Sequence, residues 1–224
     1  MRKEILYASI GALYVAAQIF TAIRVGSFPL FPEPYDLVPA GVFAYLAIFV
    51  VANIINEKEG KKEGWKIIAA GLFANVLLLI NLYLELAVPD ATERGFGAVG
   101  APLALTFSHL TSIEWRIVIG SVIAFVVAMY LNNYLYHRWK WNILARYGII
   151  LILVMSIDTV LFHTIAFAGV FSTEGLLGSI ASVTIFKIFL ILVSIPIFAM
   201  GLKAYGWTNF LETDHERLVQ SPGI

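Results

Sequence analysis

Long apolar stretches alternate with short polar ones along the chain, and six of the apolar stretches are near the ~20 residues that a helix needs to cross a hydrocarbon layer. They cover residues 5–25, 38–56, 66–88, 117–136, 147–170 and 177–201. The first follows Arg2 and Lys3, as a signal peptide would. Its apolar run is too long for a secretory segment, and no clear cleavage site follows, so it reads as a retained helix. The expected fold is all-α and polytopic: a six-helix transmembrane domain over residues 1–206 and a short polar tail over residues 207–224. The connection 26–37 carries Pro29, Pro32 and Pro34 and is expected to be extended. The longest connection, 89–114, is rich in Gly and Ala and reads as an ordinary loop, with a short re-entrant or interfacial piece at 96–107 as the alternative.

Composition supports this reading. Of 224 residues, 60% are hydrophobic and 13% charged, about half the charged share that covers a soluble domain. Most of the chain must therefore face lipid or other helices. The formal net charge of +0 argues against a nucleic-acid partner. With no cysteine, disulfides, thiolate metal sites and cysteine nucleophiles are excluded. No phosphate loop, dinucleotide fingerprint or His-Glu-x-x-His pair occurs, so the chain does not power transport by its own ATP hydrolysis. Neither a cofactor nor a metal is expected, and the chain is not read as an enzyme.

Orientation follows from the basic residues in the connections. Eleven (Arg2, Lys3, Lys58, Lys61, Lys62, Lys66, Arg138, Lys140, Arg146, Lys203 and Arg217) fall on one side, and three (Arg24, Arg94 and Arg116) on the other. The richer side is expected in the cytoplasm, with both chain ends there and the protein multi-pass in the plasma membrane.

An ion at the centre of a membrane helix costs roughly 2.5–3.5 kcal/mol on insertion scales, so buried polar residues carry information. Asp158 sits at the middle of the fifth stretch and Lys187 near the middle of the sixth. Antiparallel neighbours would bring them to similar depth, where a salt bridge keeps both ionised. The pair reads as a clip between two helices or as a ligand site, and intramembrane charge favours the second. His163 lies about 140° around the helix from Asp158 and is expected to face another helix or the outer water layer. The second stretch presents Tyr45, Phe49, Asn53, Asn56 and Glu57 on one face. The fourth repeats the theme with Phe125, Met129, Asn132, Asn133 and Tyr136, and the third adds Asn75. Phe49-Val50-Val51-Ala52 with Asn56 matches Phe125-Val126-Val127-Ala128 with Asn132 at a constant offset, a parallel repeat of helix pairs or a chance identity. Aromatic walls with a few hydrogen-bonding groups suit a small planar polar solute. The competing reading of these amides is interhelical glue.

The stretch 41–71 with Ile54-Ile55-Asn56-Glu57 and Gly60, the stretch 115–138 opening Trp115-Arg116-Ile117, the run 156–167 with Asp158-Thr159, and Phe186-Lys187 with Pro196 resemble the queuosine-precursor transporter family. That family is also called the putative vitamin-uptake transporters. The resemblance runs in order over nearly the whole chain. It implies a six-helix carrier, related to the substrate-binding components of vitamin importers, that brings in 7-deazaguanine precursors of modified tRNA bases. It also implies that Asp158 and Lys187 are pocket residues. Departures fall at Asn53, Met129, Asn132 and Met155, where the family pattern has an acid, Gln, Asp and Asn, and they put the deazaguanine substrate in question.

The expected substrate set is then Asp158, Lys187 and Thr159, with Tyr45, Phe49 and Phe125 supplying rings and Asn53, Asn75 and Asn132 supplying amides. The expected function is import of a small planar heterocycle, first a queuosine or archaeosine precursor. The rival is a membrane-embedded binding subunit for a vitamin, serving a separate ATP-driven motor. The expected partners are the small-molecule substrate and the lipid bilayer, with an oligomer or a motor subunit as further possibilities.

Overall fold

In the computed structural model, residues 3–23, 25–27, 37–87, 114–140 and 142–206 are described. The expected segments at 89–113 and 207–224 lie outside them. Among the described residues six helices follow one another: α1 Lys3–Ile23, α2 Val42–Glu59, α3 Lys61–Ala87, α4 Glu114–Arg138, α5 Ile143–Phe167 and α6 Thr173–Ala204. The all-α expectation needs one addition. β1 Val25–Ser27 pairs antiparallel with β2 Leu37–Pro39, Gly26 facing Val38. This pairing also explains why α2 starts at Val42 and not at Val38. Proline disfavours the helical region for the residue before it, so Val38 stays extended and β2 takes up the first turn.

Helix ends are set by local chemistry. Asn142 accepts from the amides of Leu144 and Ala145 at 3.1 and 3.4 Å, capping α5. Ser172 caps α6 by accepting from Gly175 at 3.2 Å. Gly60 alone separates α2 from α3 and takes φ +85°, a left-handed conformation that glycine adopts without penalty. The helix α6 continues through Pro196 for 32 residues, ~48 Å at the usual rise. Proline is tolerated within membrane helices because neighbouring groups re-satisfy the freed carbonyl.

Side-chain contacts fix the running order. Tyr7 donates to Glu63, Arg146 pairs with Glu57, and Tyr205 donates to Glu59 at 2.9 Å. These contacts gather the start of α1, the α2–α3 junction, the start of α5 and the end of α6 at one end, with Lys58, Lys61, Lys62 and Lys66. At the other end, Arg116 of α4 donates to the Ala168 carbonyl just past α5 at 2.9 Å. Each helix therefore runs opposite to the one before it. The pairs α4–α5 and α5–α6 pack most extensively, and α1 lies against both α2 and α3. Among the described residues, three helices are long and apolar enough to cross a membrane: α5, α6 and the Ile119–Arg138 part of α4.

The core between the helices is filled by rings. Tyr14 meets Phe125 edge-on at 4.5 Å, and Tyr147 stacks on Phe198 at 4.1 Å. Phe125 fits because Gly71 of α3 offers no side chain; a Cβ there would stand 2.5 Å from the ring's Cζ. The ring is fully buried and held by Tyr14, so it has nowhere to go. We expect Gly71→Ala to cost about 1–3 kcal/mol through overpacking. A lowered melting temperature of the purified variant in detergent checks this, and an unchanged one shows that the α3–α4 contact is looser than described.

Candidate functional site

Asp158 and Lys187 come together because α5 and α6 are sequential and antiparallel, joined by residues 168–172. Lys187 Nζ lies 2.8 Å from Asp158 Oδ2, with both residues buried at 7% and 4% exposure. The ammonium also donates to Thr159 Oγ1 at 2.9 Å. That hydroxyl spends its own hydrogen on the Met155 carbonyl one turn back, at 2.8 Å, which leaves a lone pair for Lys187. Tyr45 of α2 donates to the second carboxylate oxygen, Asp158 Oδ1, at 2.7 Å. Lys187 Nζ stands 5.4 Å from the centre of the Tyr45 ring, within cation–π range. One carboxylate thus ties α2, α5 and α6.

Asp158, Lys187 and Tyr45 line a cavity in the half of the bundle away from the basic end, whereas Thr159 is fully buried and not part of its wall. Its walls are Ala17 of α1, Gly41, Val42 and Tyr45, then Ile117, Ser121 and Ala124 of α4, Asp158, Phe162 and His163 of α5, and Val183 and Lys187 of α6. The cavity volume is about 80 Å³, below the ~300–1,000 Å³ of sites that enclose a drug-sized ligand, so the site is a small cleft in this conformation. His163 lines this cavity, contrary to the expectation that it faces elsewhere. Asp158, Phe162 and His163 together span about 140° of α5, with Phe162 between the other two on the cavity wall. His163 Nδ1 lies 2.9 Å from the Thr159 carbonyl. A carbonyl only accepts, so Nδ1 carries the hydrogen and the neutral ring keeps Nε2 as an acceptor. Two of the three Lys187 N–H groups are engaged and one remains for a ligand. The cavity therefore offers acceptors (Asp158, His163) beside a charged donor (Lys187).

The other expected site residues lie elsewhere. Phe49 and Phe125 are fully buried below the cavity, where Tyr45 packs edge-on against them at 5.4 and 6.5 Å. Asn53 and Asn132 pair with each other: Asn132 Nδ2 donates to Asn53 Oδ1 at 2.9 Å, and the reverse contact spans 3.4 Å. Asn75 is buried on α3, away from the cavity wall. The sequence reading missed Ser121, Phe162 and the small residues Ala17, Gly41 and Ala124. The space exists because those three side chains are small, and a missing side chain gives no pattern of its own. Among the described residues no group of three His, Asp or Glu gathers as a metal site would require.

Compared with known proteins, residues 39–201 match the family model described as "putative vitamin uptake transporter", a span that holds every cavity residue but Ala17. Neither the curated proteins nor the solved structures provide a match.

The buried pair makes a stability prediction. Asp158→Asn or Lys187→Met alone leaves an uncompensated charge and is expected to cost about 3–5 kcal/mol, whereas the two together cost far less. Unfolding of the three variants in one detergent measures the difference, and additive losses would mean that the residues do not act as a unit.

Proposed function

Given that the chain belongs to the putative vitamin uptake transporter family, and is therefore a membrane transporter, we propose that it imports a small planar heterocycle bound in the Asp158–Lys187 cavity. The observation that carries this reading is the buried acid and base that together line one cavity. The lead substrate is a 7-deazaguanine precursor of a modified tRNA base. Its amino and ring N–H groups would donate to Asp158 and to His163 Nε2, its carbonyl would accept from the remaining Lys187 N–H, and its faces would lie against Tyr45 and Phe162. Thr159 holds Lys187 in place for that contact.

All six helices cross the plasma membrane in this reading, with the lysine-rich end in the cytoplasm. The cavity then belongs to the outer half. Below it the Tyr45–Phe49–Phe125–Tyr14 rings and the Asn53–Asn132 pair form the barrier toward the cytoplasm. Those residues meet substrate only when the barrier parts. Asn75 belongs to the surrounding frame. The lysine-rich end also carries the Glu57–Arg146 ion pair, which closes the bundle there.

Uptake of labelled 7-deazaguanine precursor into cells lacking both its synthesis and its transport tests the reading. The chain is expected to raise uptake well above empty vector, and Asp158→Asn with Lys187→Met to abolish it while the protein still folds and inserts. Normal uptake by the folded double variant would overturn the site. Uptake by the purified chain alone in liposomes distinguishes a self-sufficient carrier from a binding subunit that needs a motor.

A further inference from the structure

Two ridges on the outer surface of the bundle are apolar for most of their length and basic at one end. On α3, Lys61, Trp65, Ala69, Phe73 and Leu77 recur at every fourth residue and are all exposed. On α4, Ile119, Ile123, Tyr130, Tyr134 and Arg138 form the matching exposed ridge. The two meet near the basic end. The Trp65 ring lies 5.4 Å from Tyr130, and Tyr130 stacks parallel to Tyr134 with centroids 6.4 Å apart. Lys61 Nζ sits 5.6 Å from the Tyr134 centroid.

The three rings are 43%, 46% and 45% exposed, so the packing of the bundle does not account for their grouping. Trp65 lies four residues inside the start of α3 and Tyr134 four before the end of α4, each ~6 Å in. At that depth an amphipathic ring meets the boundary between hydrocarbon and headgroups. The nearby acids are engaged within the protein: Glu57 by Arg146, Glu63 by Tyr7 and Lys66, and Glu59 by Tyr205. Lys61 and Arg138 thus set the charge at the head of the ridges.

We infer that this surface formed by the two ridges holds an anionic phospholipid, with its phosphate between Lys61 and Arg138, its glycerol region on the Trp65–Tyr130–Tyr134 rings, and its acyl chains along Phe73, Leu77 and Ile123. The inference requires that the chain lie in a bilayer, as in the reading above, but not that it carry a heterocycle. Juxtamembrane cations attract anionic lipid headgroups, and rings that restrict the glycerol region add contact area that a soluble phosphate ester cannot use.

The test is retention of phosphatidylglycerol against phosphatidylcholine by the purified chain, read by native mass spectrometry. The chain is expected to prefer phosphatidylglycerol. Lys61→Gln with Arg138→Gln is expected to weaken that binding roughly tenfold to thirtyfold. Lys203→Gln, at the same end but on α6, is expected to leave it unchanged. Glycerol 3-phosphate is expected not to compete. Equal retention of the two lipids, an equal loss with Lys203→Gln, or competition by glycerol 3-phosphate would each overturn the proposal. Heterocycle uptake, measured separately, tells a failed lipid site from a failed carrier assignment.

Discussion

The Asp158–Lys187 pair is the constraint that orders the upper bundle. Two charges in a low-dielectric layer are tolerated only when each has its partner and its remaining hydrogen-bonding capacity is largely met. Here the conditions are met from three helices. Lys187 reaches across to Asp158 and Thr159, and Tyr45 closes the other carboxylate oxygen. The depths of α5 and α6 are fixed relative to each other, and α2 is fixed to both. Small residues on α1, α2 and α4 then leave space in front of the charged wall. The cavity follows from the need to satisfy the pair on one side and the absence of bulk on the other.

The lysine-rich end is organised differently. Gly64 of α3 lies so close to α2 and α4 that a side chain there would collide with the carboxamide oxygens of Asn56 and Asn133. Neither oxygen has a hydrogen-bond partner among the described residues. A Cα hydrogen of Gly64 faces both, a weak contact that offsets part of their desolvation. Arg146 adds a bridge to Glu57 and lies over the Tyr136 ring at 4.5 Å. Among the described residues this end is tight and polar, whereas the other half is mostly apolar around one ion pair.

The six stretches that fold as helices and the buried pair of opposite charges were legible from residues alone, because the cost of burying an ion makes its position informative. The bounds shifted where local chemistry intervened, as at Val38-Pro39, which went to a strand. The amides were harder. Asn53 and Asn132 lie on the faces that their spacing predicts, yet an amide is as well satisfied by another amide as by a ligand, and nothing in spacing separates the two. The angular argument for His163 failed because it treats the site as a line along the helix. The cavity subtends a wide arc of α5. Ala17, Gly41 and Ala124 carry no chemical signal at all, and only packing shows that their neighbours leave the space unfilled.

Tyr45 links the two halves. Its hydroxyl occupies Asp158 Oδ1, so a ligand N–H that approaches this oxygen competes with it for lone pairs. The same ring packs on Phe49 and Phe125, and Asn53 lies eight residues further along α2, ~12 Å at the usual rise. Any ligand that displaces the tyrosine hydroxyl therefore loosens α2 from α5 at the cavity and disturbs the ring layer below. The Asn53–Asn132 contact is the next attachment of α2 along that path, and it is a neutral amide pair with one bond at 2.9 Å and one at 3.4 Å. A neutral pair parts at lower cost than an ion pair would. In the proposed reading, strong charge at the ligand and weak polarity at the barrier would let binding at one offset the opening of the other.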